Sequence, residues 1–375
     1  MRRAEAAIDL DAIRSNVGLL RAAAPSAELM AVVKADGYGH GLLPSARAAL
    51  DGGAGWLGVC VLEEALALRA AGINAPILSW LNAPGEPLAA GVAADVDLSV
   101  SSLWALAETV DAARQTGRTA RVHLQIDTGL SRNGATPDDW PELVSAAARA
   151  ESGGEVSVVG VWSHFAYADD PGHPTIARQV GCFADGVEVA QRAGLRPSLR
   201  HLANSAATLT LPAAHFDLVR PGIAVFGLSP VPRVSTYGLR PAMTLRGRIA
   251  LAKDVAAGAG VSYGHRYTTS APTRLALVPM GYADGVPRAA TNTGEVWLGG
   301  RRRRISGTVC MDQFVVDVGS DDVHAGDEVI LFGPGDLGEP TAYDWAEALG
   351  TISYEVVTRI GARVPRTYTG SGAGG

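Results

Sequence analysis

The chain has 375 residues, of which 47% are apolar and 19% charged, and 32 Lys+Arg against 38 Asp+Glu give a net charge of -6. This composition can bury a large core and excludes a disordered chain, while the acidic balance gives nucleic-acid binding no electrostatic support. The three scattered cysteines form neither a disulfide framework nor a CxxC metal site, so we expect no bound metal at cysteine.

The N-terminal segment does not have the pattern of a signal peptide. Acidic residues interrupt MRRAEAAIDLDAIRSN, and no later stretch approaches the roughly 18 apolar residues of a membrane-spanning helix. We therefore expect a cytoplasmic protein without a membrane partner.

Residues 1–233 alternate short apolar runs with helical segments. Because continuous apolar runs between helices are typical of parallel strands covered on both faces, the pattern predicts a (β/α)8 TIM-type barrel, with a doubly wound sheet as the competing fold. One predicted helix has Ser101 or Ser102 as its N-cap and Gly117 at its end. The predicted strands are Leu29–Val33, Trp56–Cys60, Pro76–Trp80, Val96–Val100, Val122–Ile126, Val158–Ser163, Leu199–Asn204 and Asp217–Gly222.

Residues 234–375 have a different pattern. Strand-like segments such as MTLRGRIAL, RLALVPMG, EVWLG, QFVVDV and DEVILFG follow one another with Gly and Asp turns, and AYDWAEALG is a late helical exception. This predicts a second, mostly antiparallel β domain, joined to the barrel through the proline-rich segment Leu228–Val234.

Polar residues follow several of the predicted barrel strands. In a (β/α)8 barrel the carboxyl ends of the strands form one rim, where active sites lie, so these side chains should converge. They are Lys34, Tyr38 and His40, Gln125 with Asp127 and Arg132, Ser163 and His164, His201 with Asn204 and Ser205, and Arg220 with Gly222.

Lys34 directly follows the apolar segment AVV and precedes a glycine-rich turn. A strand-end lysine is most often a solvated surface residue. Partial desolvation would instead lower its pKa and free the amine for Schiff-base chemistry with a carbonyl cofactor, most commonly pyridoxal phosphate (PLP). Asn204, Ser205 and Gly222 fit this hypothesis, because the loops after strands seven and eight of such barrels often bind phosphate; the alternative is a turn with Ser205 as a cap.

Nine segments, in order along the chain, resemble the motifs of the bacterial alanine racemases. They are AVVKADGYGHG, LQIDTGLSRNG, VWSHFAYAD, HLANSAATL, VRPGIAVFG, VSYGHRY, GYADGVPR, GTVCMDQFVVD and TISYEVVTRIGARVPRTY. The resemblance implies a PLP-dependent fold-type III isomerase that interconverts L- and D-alanine, supplies D-alanine for peptidoglycan in the cell wall, and works as a head-to-tail homodimer.

The resemblance also implies roles for individual residues. Lys34 would bind PLP covalently and act as one catalytic base, and Tyr263, from the partner subunit, as the other. Arg220 would face the pyridine nitrogen, with His164 linking it to Tyr263. Tyr38, Asn204, Ser205, Gly222, Ile223 and Tyr354 would complete the cofactor site, and Arg132, Tyr282, Met311 and Asp312 would contact the substrate.

Gln125 departs from the family pattern, which commonly has a carbamylated lysine at this position that orients the arginine corresponding to Arg132. The amide carbonyl of glutamine can still accept a hydrogen bond from a guanidinium. We therefore expect Gln125 to hold Arg132 without a modified lysine.

Two other functions share the barrel and the lysine. A fold-type III decarboxylase of basic amino acids would gain nothing from Tyr263, and a non-catalytic PLP carrier would have no use for the β domain. The segment GPGDLG matches GxGxxG, but Pro334 and the lack of a following helix favour a loop, and Arg301–Arg304 reads as a solvated hairpin.

Overall fold

The computed structural model describes residues 2–371. The chain divides into two compact units: Ile13–Gly37 with Leu42–Leu239, and the residues up to Ala12 with Tyr38–Gly41 and those from Arg240 on. Among residues 2–371 there is no helix with both the length and the apolar character needed to span a bilayer.

The chain begins with strand β1 (Ala4–Asp9) and helix α1 (Leu10–Ala23), and eight parallel strands follow in the first compact unit. Neighbours in sequence are neighbours in the sheet, and the last strand pairs with the first, so the fold is the predicted barrel and not a doubly wound sheet. The strands are β2 (Glu28–Val32), β3 (Trp56–Val59), β4 (Ile77–Ser79), β5 (Asp97–Val100), β6 (Ala120–Gln125), β7 (Val156–Trp162), β8 (Leu199–His201) and β9 (Leu218–Val219).

Backbone hydrogen bonds complete the barrel between β8 and β9. The Asp217 N–H donates to the Arg200 carbonyl at 3.1 Å, and the Arg220 N–H donates to the Ala203 carbonyl at 2.9 Å. Inside the barrel, apolar side chains from different strands form a packed layer, as expected for a filled barrel. This layer contains Met30, Trp56, Leu78, Val159 and Leu218.

Helices occupy the connections between the barrel strands. The predicted caps of α6 are confirmed: Ser102 accepts a hydrogen bond from the Ala105 N–H, and Gly117 ends the helix with φ 64°. The helices are α2 (Lys34–Tyr38, a left-handed turn described below), α3 (Leu42–Asp51), α4 (Leu62–Ala70), α5 (Leu88–Ala93), α6 (Leu103–Thr116), α7 (Trp140–Ser152), α8 (Pro174–Arg192) and α9 (Ser205–Thr210).

The second unit is mostly antiparallel, as predicted. Its sheets have the orders β16-β15-β18-β10-β1-β19, β11-β14-β17 and β12-β13. Its elements after β1 are β10 (Met243–Arg248), β11 (Leu251–Val255), β12 (Gly260–Val261), β13 (Tyr267–Thr268), β14 (Thr273–Val278), β15 (Glu295–Leu298), β16 (Arg301–Arg304), β17 (Phe314–Gly319), β18 (Glu328–Phe332), α10 (Ala342–Leu349), α11 (Ser353–Thr358) and β19 (Arg366–Thr369).

Strand β1 explains why the units do not follow a single boundary at residue 233/234. It pairs antiparallel with β10 and parallel with β19, so the N-terminal strand belongs to the second unit, which we call the β unit. The main part of the β unit starts at Arg240. The sequence AEAAID has alternating burial but few β-branched or aromatic residues, which is why it was not predicted as a strand.

Two adjacent leucines of α1 provide a test of the barrel packing. Leu20 is fully buried, whereas Leu19 is 40% exposed. We expect Leu20→Ala to reduce the free energy of unfolding by about 2–5 kcal/mol, because it leaves a cavity, and Leu19→Ala to change it by less than about 1 kcal/mol. Urea-induced unfolding of the two variants measures the difference, and equal losses would contradict the packing described.

Candidate active site

Lys34 lies immediately after β2 at the carboxyl-end rim of the barrel. Its Nζ lies 5.7 Å from the centroid of the Trp80 ring, where a cation–π contact is possible. Burial lowers the pKa of the Lys34 ammonium, and the charge of Arg132 lowers it further, against opposing effects of Cys60 and Glu64. A larger fraction of this amine is therefore neutral and nucleophilic than in an exposed lysine.

A strained turn places Lys34. Ala35, Asp36 and Gly37 all have left-handed backbone angles, with φ of 53°, 55° and 62°. For the two non-glycine residues this conformation is unfavourable by about 1–2 kcal/mol each. The Asp36 N–H donates to Glu64 Oε1 at 3.0 Å, and Asp36 Oδ1 accepts from the Leu42 N–H at 2.8 Å, so side chains on both sides stabilise the turn.

The Gly37 position has no room for a side chain, since a Cβ there would lie 2.8 Å from Ser45 Oγ. Nothing in our sequence analysis identified the left-handed turn, although two glycines close together were its signal. Strain of this kind is concentrated at functional sites, where the surrounding structure enforces it.

Arg220 is buried among neutral acceptors. Its guanidinium donates to the Ser163 carbonyl at 2.8 Å and lies 3.3 Å from Nδ1 of both His164 and His201. Within residues 2–371 no carboxylate pairs with it, and burial lowers its pKa to about 9, so it remains a cation at neutral pH. A buried positive charge of this kind favours a negatively charged or electron-rich ligand.

His164 is neutral in this environment. Burial, followed by the charges of Arg220, Arg132 and Lys34, lowers its pKa to about 3. The influence of all three cations on one imidazole places them around a common site. His164 Nδ1 can accept from Arg220 only in the neutral form, so the tautomer carries its proton on Nε2.

Ser205 and the Gly222–Ile223 backbone form a compact polar pocket after β8 and β9. Ser205 Oγ accepts hydrogen bonds from the Gly222 N–H at 2.8 Å and the Ala224 N–H at 3.3 Å, which leaves its hydroxyl proton to donate to an anion. Asn204 Oδ1 caps α9 through the Ala207 N–H at 3.1 Å, so this atom has a structural role.

The expected hydrogen bond between Gln125 and Arg132 is not formed. Gln125 Oε1 is buried and, within residues 2–371, has no hydrogen-bond partner, and Arg132 is exposed. The turn between them is held instead by Asp127, whose Oδ1 accepts from the Gly129, Leu130 and Ser131 N–H groups. This prediction was wrong, because the amide oxygen is buried without a partner while Arg132 lies on an exposed turn that Asp127 organises.

In the β unit, Tyr263 lies on an exposed turn. Its side chain is 75% exposed, and Ser262 and Gly264 on either side have φ of 62° and 70°. The Ser262 hydroxyl donates to the Thr308 carbonyl at 2.7 Å, and the Thr308 hydroxyl donates to the Tyr263 carbonyl at 2.8 Å. The backbone of the turn is thus fixed while the phenol is presented to the surface.

Tyr282 and Met311 lie on two further loops that are bonded to each other. The Tyr282 N–H donates to the Cys310 carbonyl at 3.0 Å, and the side chains of Tyr282 and Met311 are both exposed. Gly281 permits this contact, because a Cβ there would lie 2.3 Å from the Cys310 and Met311 carbonyl oxygens.

A buried carboxylate that the sequence analysis missed supports these loops. Asp284 is fully buried, accepts from the Gly281 N–H at 3.0 Å, and pairs with Arg3 at 2.5 Å. Asp312 instead pairs with Arg363 at 2.8 Å. The Tyr38 and Tyr354 rings lie 6.3 Å apart, so the structure brings these two predicted residues close together.

The predicted site residues thus fall in two groups, one in each unit. The barrel unit contains Lys34, Arg132, His164, Asn204, Ser205, Arg220, Gly222 and Ile223, and the β unit contains Tyr38, Tyr263, Tyr282, Met311, Asp312 and Tyr354. The barrel group fits PLP on its own chemistry, because it offers a desolvated amine, a serine hydroxyl free to donate to a phosphate, and a buried cation that no carboxylate within residues 2–371 contacts.

Comparison with known proteins agrees with this chemistry. Residues 8–230 match the family model for the alanine racemase N-terminal domain, and residues 242–368 match that for the C-terminal domain. The chain is 67% identical over 369 residues to an alanine racemase of Frankia casuarinae, covering 98% of this chain and 96% of that protein. A crystal structure of alanine racemase from Streptomyces lavendulae superimposes with a TM-score of 0.98 at 57% identity, covering 99% of this chain and 98% of that one.

His164 provides a pH test of the site. Its pKa of about 3 lies below the ordinary value, so between about pH 6.5 and 3 the unfolded chain binds a proton that the folded chain does not. We expect this residue to reduce stability by about 1.4 kcal/mol per pH unit as pH falls through that range. Urea-induced unfolding of the apoprotein should show a weaker pH dependence in His164→Gln, but not in the control His324→Gln, whose side chain is exposed. Equal slopes in wild type and His164→Gln would contradict a neutral His164.

Proposed function

The chain belongs to the alanine racemase family, and from this we propose that Lys34 and Tyr263 are the two bases with which it interconverts L- and D-alanine. The enzymes of this family are PLP-dependent isomerases that supply D-alanine for peptidoglycan. The observation that carries the residue assignment is the desolvated Lys34 amine at the barrel rim, beside Arg132.

Racemisation removes a proton from one face of Cα and returns one to the other face. When bound, PLP supplies the carbonyl that combines with an amino group and the conjugated ring that acidifies the Cα–H bond. The amine of Lys34 serves one face. The phenol of Tyr263 serves the opposite face, since two bases on opposite sides perform both transfers without rotation of the substrate.

The same residues would hold the cofactor. The Ser205 hydroxyl, fixed by the Gly222 N–H, would hold the phosphate together with the Ile223 N–H, Tyr38 and Tyr354, and Arg220 would face the pyridine nitrogen. Arginine is a donor that does not lose its proton, so Arg220 binds the ring nitrogen without transferring a proton to it. This limits the electron withdrawal by the ring and favours proton return over transamination. Arg132, with Tyr282, Met311 and Asp312, contacts the substrate.

Tyrosine has an ordinary pKa near 10 and needs a nearby cation to act as a base at neutral pH. Arg220 supplies the positive charge. The neutral His164 accepts a hydrogen bond from Arg220 on Nδ1 and donates one from Nε2 toward Tyr263. In this proposal Tyr263 is contributed by the second copy of a homodimer in the cytoplasm. The 75% exposure of its side chain, with exposed Tyr282 and Met311 in the same unit, supports a surface that a partner covers.

The two bases can be separated by proton exchange. We expect Tyr263→Phe to slow Cα deuterium incorporation into one enantiomer of alanine by about 10²–10⁴-fold and into the other much less, because Lys34 still serves one face. NMR of each enantiomer incubated in D2O measures the two rates. Tyr167→Phe, which removes an exposed phenolic hydroxyl elsewhere, is the matched control. Equal, small losses for both enantiomers would contradict the two-base mechanism.

Sharing of the site between subunits has a separate test. Lys34→Ala and Tyr263→Phe should each have very low racemase activity. Mixing them under conditions that exchange subunits should restore about a quarter of wild-type activity, since about half the dimers are mixed and each has one intact site. Activity that stays at the level of the separate variants, with exchange confirmed by native mass spectrometry, would rule out a shared site.

A further inference from the structure

A continuous chain of buried polar groups runs through the barrel interior behind Arg220. Arg220 Nη1 lies 3.3 Å from His201 Nδ1, His201 Nε2 lies 2.8 Å from His123 Nδ1, and His123 Nε2 lies 3.1 Å from Asp97 Oδ2. All four side chains are at most 5% exposed. The roles proposed above for Arg220 do not use the other three residues.

The two ends of this chain determine the direction of every hydrogen bond in it. Arginine can only donate and a carboxylate can only accept. His201 must therefore present an unprotonated Nδ1 to Arg220 and carry its proton on Nε2. His123 in turn accepts that proton on Nδ1 and donates from Nε2 to Asp97. Both imidazoles are thus neutral and in the Nε2–H form.

Asp97 anchors the far end. It is the first residue of β5, whereas Arg220 directly follows β9, so the chain extends from the amino end of the barrel strands to the rim. Arg121 Nε donates to Asp97 Oδ1 at 2.7 Å, and Nη2 donates to Oδ2 at 3.1 Å. Burial opposes ionisation of Asp97, but the hydrogen bonds from His123 and Arg121 and the charge of Arg121 together lower its pKa, so it is an anion at neutral pH.

The missing side chain of Gly160 leaves the space in which the His123 and His201 imidazoles form their hydrogen bond. Gly160 in β7 lies opposite His123 in the parallel pairing, and a Cβ there would lie 2.4 Å from His123 Nδ1. On the other side, the Trp162 ring stacks on His201 with an interplanar angle of 2°, and the Arg220 guanidinium lies 4.8 Å from the centroid of the same ring. The hydrogen-bonded atoms are therefore held by packing on both sides.

We propose that Asp97 is a positioning residue for Arg220, which it holds toward the cofactor by fixing the tautomers of His123 and His201. The effect on catalysis rests on the proposed function, in which Arg220 faces the pyridine nitrogen. The tautomers themselves do not depend on it, because the four residues meet within the barrel unit alone. The tautomers of His123 and His201 and the effect of Asp97 on catalysis can therefore be tested separately.

Asp97→Leu is the informative variant, because leucine is close to aspartate in size and removes both acceptors. Asparagine would not serve, since an amide oxygen at the Oδ2 position still accepts from both Arg121 and His123. Without the carboxylate the Nε2–H form of His123 loses its acceptor. When His123 carries its proton on Nδ1, His201 must accept on Nε2, carries its own proton on Nδ1 and presents a donor to Arg220. We expect both histidines to populate the Nδ1–H form.

Nitrogen-15 NMR of histidine-labelled protein, with and without PLP, measures these tautomers directly. We expect the Nε2–H form for both residues in wild type and a measurable Nδ1–H population for both in Asp97→Leu. The control Asp217→Leu removes the carboxylate of a similar bidentate pair, with Arg200, and should leave both tautomers unchanged. An Nδ1–H or doubly protonated form of either residue in wild type would overturn the proposal, even if no variant could be prepared.

Kinetics of the holoenzyme give the second measurement. Asp97→Leu should lower kcat about tenfold, as expected for loss of a hydrogen bond to a charged group, with little change in KM for alanine, and Asp217→Leu should retain wild-type kcat. Gly160→Ala should lower kcat similarly, since its Cβ displaces His123 without removing any ionisable group. A tautomer change with unaltered kcat would refute the positioning role, whereas lost activity with unchanged tautomers would refute the relay from Asp97.

Discussion

The site depends on a positive charge that is buried without a carboxylate in contact. Arg220 is surrounded by a carbonyl and two neutral imidazoles, and burial lowers the pKa of its guanidinium to about 9 without neutralising it. Desolvation of a cation is unfavourable unless hydrogen bonds and a ligand compensate it. Burial lowers the pKa of His164, and the charges of Arg220, Arg132 and Lys34 lower it further, so the same cation helps to keep His164 neutral and favours an anionic cofactor.

The backbone has unfavourable left-handed angles next to both Lys34 and Tyr263. The left-handed residues Ala35 and Asp36 follow Lys34 and are held by bonds to Glu64 and Leu42, while Ser262 presents Tyr263 from a left-handed turn in the other unit. Both proposed bases thus lie beside left-handed, strained turns. Such turns persist only where the surrounding structure fixes them, as the hydrogen bonds of Asp36, Ser262 and Thr308 do here.

The fold was predictable because the barrel strands are short, largely apolar runs that alternate with helical segments, and this pattern is visible without knowledge of tertiary contacts. Strand β1 was missed because AEAAID has few β-branched or aromatic residues, and β19 because RTYT is short; their pairing partners are distant in sequence. Lys34, Ser205 and Arg220 could be assigned to the rim because they follow predicted strands. Asp284 was missed because its partners, Arg3 and Arg363, come from separate parts of the chain. Gln125 shows the limit of pairwise reasoning, since the turn that carries Arg132 is organised by Asp127 and not by the amide.

His123 and Asp97 lie within apolar strands, where a polar residue is itself a signal, but only the closed barrel brings them to His201. This arrangement explains how Arg220 can be both held and left charged. A carboxylate in direct contact would fix the guanidinium firmly but would cancel much of its field, because Coulomb energy at low effective dielectric rises steeply at short distance. Two intervening imidazoles preserve the donor–acceptor direction of the carboxylate while moving its charge away from the rim. In the proposed mechanism, the cofactor and Tyr263 would then experience a positive potential that a simple Arg–Asp pair at the same place would not provide.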